Sequence, residues 1–197
     1  MNSNGRRLRS TLIAAAAATT LTLTVAPALS PAAATQGPAK TPSAVTTTSL
    51  VYDKNPGSPT NSKLKVYQGT KLLASYRAGS GLGSKNDCAV GEGWIPNGNW
   101  KIKLKDPKYN GQYIKGYAVY LEDMGCSKNP HKKIRTQMFI HSEMNRDGSQ
   151  GRSEQRSWQD SKDYRSAGCV KLHPDHITHM FKLLNRIGWP THLRVVS

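Results

Sequence analysis

The chain has 197 residues, 28 Lys+Arg against 12 Asp+Glu, and a formal net charge of +16. That length is sufficient for a hydrophobic core of its own, so disulfides need not replace one. With 37% hydrophobic and 20% charged residues it is neither a membrane-helix bundle nor a fully disordered chain. The excess positive charge points to an anionic partner: nucleic acid, an acidic membrane or an anionic polymer.

The N-terminal segment is built differently from the rest. Arg6, Arg7 and Arg9 form a basic head, Thr11–Val25 is an uncharged apolar run, and small residues lead to Pro31-Ala32-Ala33-Ala34. These are the parts of a secretory signal peptide spanning 1–34, cut after Ala34 or earlier at Ala26-Pro27-Ala28. Leu12–Val25 is diluted by Ala and Thr and falls short of the roughly 20 apolar residues of a membrane span. The mature protein is therefore expected to have no span, and no Cys near the exit offers a lipid anchor. Arg6-Arg7 also permits a twin-arginine export route. Loss of three Arg leaves a charge of +13. Residues 35–48, rich in Pro, Ala and Thr, read as a flexible leader, and the folded part is expected over 49–197.

From Ser49 the pattern is mostly short strands. Leu50-Val51-Tyr52 is one, and Lys63–Tyr67 with Leu72–Tyr76 reads as a hairpin turned at Gln68-Gly69-Thr70-Lys71. Asn99–Lys105 alternates, with Trp100, Ile102 and Leu104 on one face and lysines on the other. Tyr113–Leu121 and Ile134–His141 are further strand candidates. One helix opens at Pro174-Asp175, carries Ile177, Met180, Phe181, Leu184 and Ile187 at helical spacing, and stops at Gly188 and Pro190. Leu193–Val196 closes as a strand. The fold class is mainly β with one packed helix.

Three cysteines in an exported chain leave one without an intramolecular partner. Cys88 and Cys126 sit in polar, loop-like surroundings, so the economical assignment is a Cys88–Cys126 disulfide and a free Cys169. By itself a free Cys reads as a small buried hydrophobe. Phe139-Ile140-His141-Ser142, however, ends an apolar strand with an imidazole, and an imidazole can convert a thiol into a nucleophilic thiolate.

Trp94-Ile95-Pro96-Asn97-Gly98-Asn99-Trp100, then Met138–Ser142, then Ser166-Ala167-Gly168-Cys169-Val170-Lys171-Leu172, then a helix and a strand, follow in an order that resembles the catalytic domain of L,D-transpeptidases. These are exported bacterial enzymes that remodel peptidoglycan. The resemblance covers roughly 49–197 and implies a β-sandwich-like domain. Carried onto this chain, Cys169 is the nucleophile and His141 its general base. Ser142 orients the imidazole, largely through its main-chain carbonyl, and N–H groups around Gly168 and Cys169 are the oxyanion donors. Ser166, Lys171 and, in an insertion, Trp158 and Tyr164 are the candidate stem-peptide contacts. No cofactor or metal is implied; the partners are peptidoglycan stem peptides and anionic cell-wall polymer, met by a secreted monomer.

Three departures stand out. The family's His before Gly-Cys is Ala167, its Asn or Arg two residues after the nucleophile is Lys171, and the interval from His141 to Cys169 is long. The extra length, 145–165, is a polar run that reads either as a lid carrying Trp158 or Tyr164 or as a solvated insertion.

Other chemistries fit less well. The lysines at 63, 65, 71, 101, 103, 105 and 108 form no known nucleic-acid module and suit anionic wall polymer, an attraction that salt would screen. His173, His176 and His179 lack thiolate or carboxylate partners beyond Asp175, so capping and surface roles outrank zinc. Glu122 with Asp123 or Glu143 gives no basis for a glycosidase pair. A non-catalytic wall-binding or inhibitor protein on the same scaffold is the alternative to an enzyme.

Overall fold

Residues that alternate apolar and polar at every second position can bury only one face of a strand, and most of this chain follows that period. The computed structural model describes residues 46–149 and 161–197. Eight strands run β1 (Thr48–Asp53), β2 (Ser62–Gln68), β3 (Lys71–Ser80), β4 (Gly98–Asn110), β5 (Lys115–Leu121), β6 (Phe139–His141), β7 (Val170–Leu172) and β8 (His192–Val196), with one helix, α1 (Pro174–Ile187), between β7 and β8.

The strands close into a single barrel in the order β1-β2-β3-β7-β6-β5-β4-β8. This departs from the sandwich-like expectation, and the reason is β8. It pairs parallel with β1 and antiparallel with β4, so the C-terminal strand seals the gap that two separate sheets would leave. The β2–β3 hairpin forms as its alternation requires, with Gly69 supplying the left-handed turn conformation at φ 58°.

Three strand expectations were off in length, β3 among them, which runs to Ser80 rather than Tyr76. β4 continues to Asn110 rather than stopping at Lys105, and it is bulged near Ile102 and again beyond Asp106, with Leu104 exposed. β6 keeps only Phe139–His141 of the expected Ile134–His141, because Gln137 adopts φ 54° and breaks the extended run. Arg135 upstream instead bridges Met124 by reciprocal backbone hydrogen bonds of 2.8 and 3.0 Å.

The helix forms where its apolar stripe predicts. Pro174 stands at its first turn, His173 Nδ1 accepts from the Asp175 N–H at 3.2 Å, and Gly188 at φ 95° ends it. Ile177, Met180, Phe181 and Leu184 are buried against strand residues such as Leu50, Leu64 and Leu193. Phe181 meets Tyr117 and Trp189 edge-on, each at 4.9 Å between centroids. No helix among the described residues is long and apolar enough to cross a membrane.

The Cys88–Cys126 disulfide is formed, joining the loop after β3 to the segment after β5 across 38 residues. Closing a loop of that length restricts the unfolded chain by ~2–4 kcal/mol. A Cys88→Ser/Cys126→Ser double variant is expected to lose about that much stability, read from urea unfolding under oxidising conditions.

Candidate active site

β6 and β7 lie side by side and parallel, with Ile140 opposite Val170 and His141 opposite Lys171. This register puts His141, at the end of β6, and Cys169, just before β7, on neighbouring strands, with Cys169 two residues before the partner of His141. Cys169 is the free cysteine and is half-buried. Its sulfur accepts from the Phe139 N–H at 3.4 Å and its S–H points to the Gln137 carbonyl at 3.8 Å. Nδ1 of His141 lies 3.0 Å from the Ser142 carbonyl. A carbonyl can only accept, so Nδ1 carries the proton and Nε2 is left as the basic nitrogen. The Ser142 side-chain hydroxyl is buried without a hydrogen-bond partner among the described residues.

Burial holds both Cys169 and His141 neutral. Burial pushes the Cys169 thiol up to about 11, opposed by the N–H groups of Phe139 and Cys169 and by the Arg135 charge. Burial pulls His141 down to about 4, opposed by its bond to the Ser142 carbonyl. At neutral pH these groups rest as thiol and neutral imidazole.

The segment before β7 is fixed with unusual completeness. Three consecutive carbonyls each accept from a different side chain. Ala167 O accepts from Arg135 Nη2 at 3.2 Å, Gly168 O from Ser80 Oγ at 2.7 Å, and Cys169 O from Ser166 Oγ at 2.6 Å. Ser80 is fully buried and its oxygen accepts in turn from the Ile95 N–H at 2.8 Å. The Ser166 oxygen also accepts from the N–H groups of Gly81 and Gly168 at 3.3 and 3.2 Å.

The structure therefore assigns several expected site residues to other work. Ser166, expected to touch substrate, has its hydroxyl engaged inside the nucleophile loop. The Gly168 N–H, expected at the oxyanion, points to that hydroxyl. Lys171, expected to touch substrate, is 8% exposed and ion-paired with Glu143 at 2.6 Å. Tyr164 is 4% exposed, packs against Gly79 and lies under the Arg77 guanidinium at 4.2 Å, so its ring is core and not a cover. Trp158 lies outside the described residues.

The histidines at the helix start are separately engaged: His173 caps α1, and His179 Nδ1 meets the Tyr76 hydroxyl at 2.7 Å. Among the described residues the one group with metal-ligand spacing is Asp87, Cys88 and Cys126, whose two sulfurs are bonded to each other.

Arg135 was missed by reading the sequence, where it sits inside an apolar stretch assigned to a strand. It is 2% exposed and its guanidinium reaches four main-chain carbonyls. Gly168, at φ 120°, has its Cα turned toward that guanidinium, and any Cβ there would collide with Arg135 Nη2 and crowd the Gly93 carbonyl. The missing side chain of Gly168 makes room for the arginine.

A family model for the L,D-transpeptidase catalytic domain (YkuD) matches residues 57–188, and the chain belongs to that family. No curated protein matches. Solved structures similar to this chain include Bd1075 of Bdellovibrio bacteriovorus, 16% identical with a TM-score of 0.46, covering 76% of this chain and 47% of that one. Another is L,D-transpeptidase 1 of Mycobacterium tuberculosis, at 15% identity and TM-score 0.39, covering 76% of this chain and 62% of that one. The helical cell shape determining protein Pgp2 of Campylobacter jejuni, at 13% identity and TM-score 0.43, covers 76% of this chain and 47% of that one. This chain thus spans about half to three-fifths of the length of these proteins.

Two outcomes are expected. Because folded His141 resists protonation, the unfolded chain binds more protons between about pH 6.5 and 4, and stability falls as pH drops through that window. A His141→Asn variant should show a shallower decline in melting temperature over the same range. Gly168→Ala combines a backbone conformation hostile to a side chain with a clash against a buried group, and should cost about 2–4 kcal/mol in urea unfolding.

Proposed function

We propose that the protein is an exported cysteine acyltransferase acting on peptidoglycan stem peptides. The observation that carries this reading is the placement, in a chain of the L,D-transpeptidase family, of a free Cys169 just before β7 and, on the paired strand β6, of a His141 whose Nδ1 is held by the Ser142 carbonyl. His141 Nε2 takes the thiol proton as Cys169 Sγ attacks the carbonyl of the third residue of a tetrapeptide stem. The C–N bond to the terminal D-Ala breaks, and the imidazolium returns its proton to the departing amine. The thioester is then resolved by a side-chain amine of a second stem, giving a cross-link, or by water, giving an L,D-carboxypeptidase. Either nucleophile loses a proton through His141, and the thiol is regenerated. The Cys169 N–H is the main-chain donor nearest the developing oxyanion.

Export through the 1–34 segment, a leader over 35–48 and action at the cell wall belong to the same reading, supported by the basic head, apolar run and small-residue exit. Anionic wall polymer is the proposed second partner. Exposed lysines at 101, 103, 105 and 108 line β4, and on neighbouring β8 Arg194 is exposed opposite Asn99. A binding or inhibitor protein is the second reading, favoured by Ala167 in the place of the family's histidine and by the high thiol pKa.

Mass spectrometry of the mature protein after exposure to a carbapenem or a stem tetrapeptide separates the two. The enzyme reading expects a covalent adduct on Cys169 that Cys169→Ala abolishes. No adduct and no stem turnover would transfer the assignment to the binding protein.

A further inference from the structure

Arg135 is charged at every accessible pH, since a guanidinium does not give up its proton in a protein. It is nevertheless buried, and its hydrogen bonds go to neutral acceptors. Nη1 donates to Asp87 O at 2.8 Å and Trp94 O at 3.1 Å, and Nη2 to Gly93 O at 3.0 Å and Ala167 O at 3.2 Å. No carboxylate among the described residues lies within ion-pair distance of it. Four carbonyl dipoles solvate the cation without cancelling its charge. The two ionisable groups whose charge reaches it are Cys169 and Asp87. The Asp87 carboxylate is held by the Ser127 N–H and hydroxyl, the latter at 2.8 Å.

The other groups around the thiol cannot supply the same charge. His141, from β6, is neutral. Lys171, from β7, is paired with Glu143. Ala167, beside the nucleophile, brings no functional group. The chain is also shaped for the arginine's approach, because Gly168 is the residue over which Nη2 lies.

We propose that Arg135 is the positioning residue of this site: it fixes the Ala167–Cys169 backbone through the Ala167 carbonyl and supplies the positive charge against which the Cys169 thiolate forms. The inference rests on Cys169 as the nucleophile. Its test reads the thiol's surroundings and needs no turnover, so an inactive protein with the expected thiol behaviour would overturn the enzyme reading and leave this one standing.

The test is the pH dependence of Cys169 alkylation by iodoacetamide in the full chain, with the disulfide intact, for wild type, Arg135→Lys and Arg135→Met. Removing the charge in Arg135→Met is expected to raise the alkylation midpoint by about one pH unit, making the reaction about tenfold slower below it. Arg135→Lys should recover most of that shift. A folded Arg135→Met with an unchanged midpoint overturns the proposal. Because Arg135→Met removes four buried hydrogen bonds, a second pair leaves Arg135 in place: Cys169→Asp against Cys169→Asn. With an uncompensated guanidinium nearby, Cys169→Asp should melt at or above Cys169→Asn at pH 7 and lose that advantage on acidification through the carboxyl range. If Cys169→Asp melts lower at pH 7 and recovers as its carboxyl protonates, the site carries no such charge and the proposal fails.

Discussion

A guanidinium without water must have its donors satisfied, and in this fold they are satisfied by main chain drawn from separate parts of the sequence. Arg135 joins the loop after β3, at Asp87, Gly93 and Trp94, to the segment before β7 at Ala167. Most of the local architecture follows from that demand. The loop has to be held at the right distance, and the Cys88–Cys126 disulfide and the Asp87–Ser127 bonds hold it. The nucleophile segment has to come close, and Gly168 allows it to. Once Ala167 O is fixed, Ser80 and Ser166 fix the next two carbonyls, and Cys169 is left with little backbone freedom. Rigid support of this kind is what the proposed role of Cys169 requires, since small displacements of a nucleophile are costly in rate.

The electrostatics show a site held short of ionisation. Burial acts on the thiol and the imidazole in opposite directions along the pH scale, and both are left uncharged. A standing thiolate–imidazolium pair is therefore disfavoured. The fixed helpers are the N–H groups of Phe139 and Cys169 and the Arg135 charge, all in place before any ligand arrives. A thiol protected in this way also resists adventitious oxidation, which proceeds through the thiolate.

Much of the fold could be read because it follows from local periodicity. The β2–β3 hairpin, α1 with its stop at Gly188, and the closing strand β8 lie within a residue or two of where alternation and helical spacing put them, apart from β3, which continues four residues further, to Ser80. The failures are equally physical. β4 runs on because its pairing with β5 continues through two bulges, which alternation alone cannot signal. β6 is cut short at Gln137 by a backbone conformation that few non-glycine residues adopt. Barrel closure was not legible, because it depends on β8 finding β1 across nearly the whole described chain.

The sequence by itself determined the chemistry available: one odd thiol, one imidazole at a strand end, a glycine before the cysteine, and enough motif order to indicate the family. Residue type and local spacing carry that information directly. Only the tertiary structure decided which side chains serve the thiol. Ser166 and Lys171 turned inward to a carbonyl and a carboxylate, Tyr164 went to the core, and Arg135 came beside the nucleophile from 34 residues away. Those choices depend on which buried polar groups meet once the barrel closes, and no pattern along the chain encodes such a meeting.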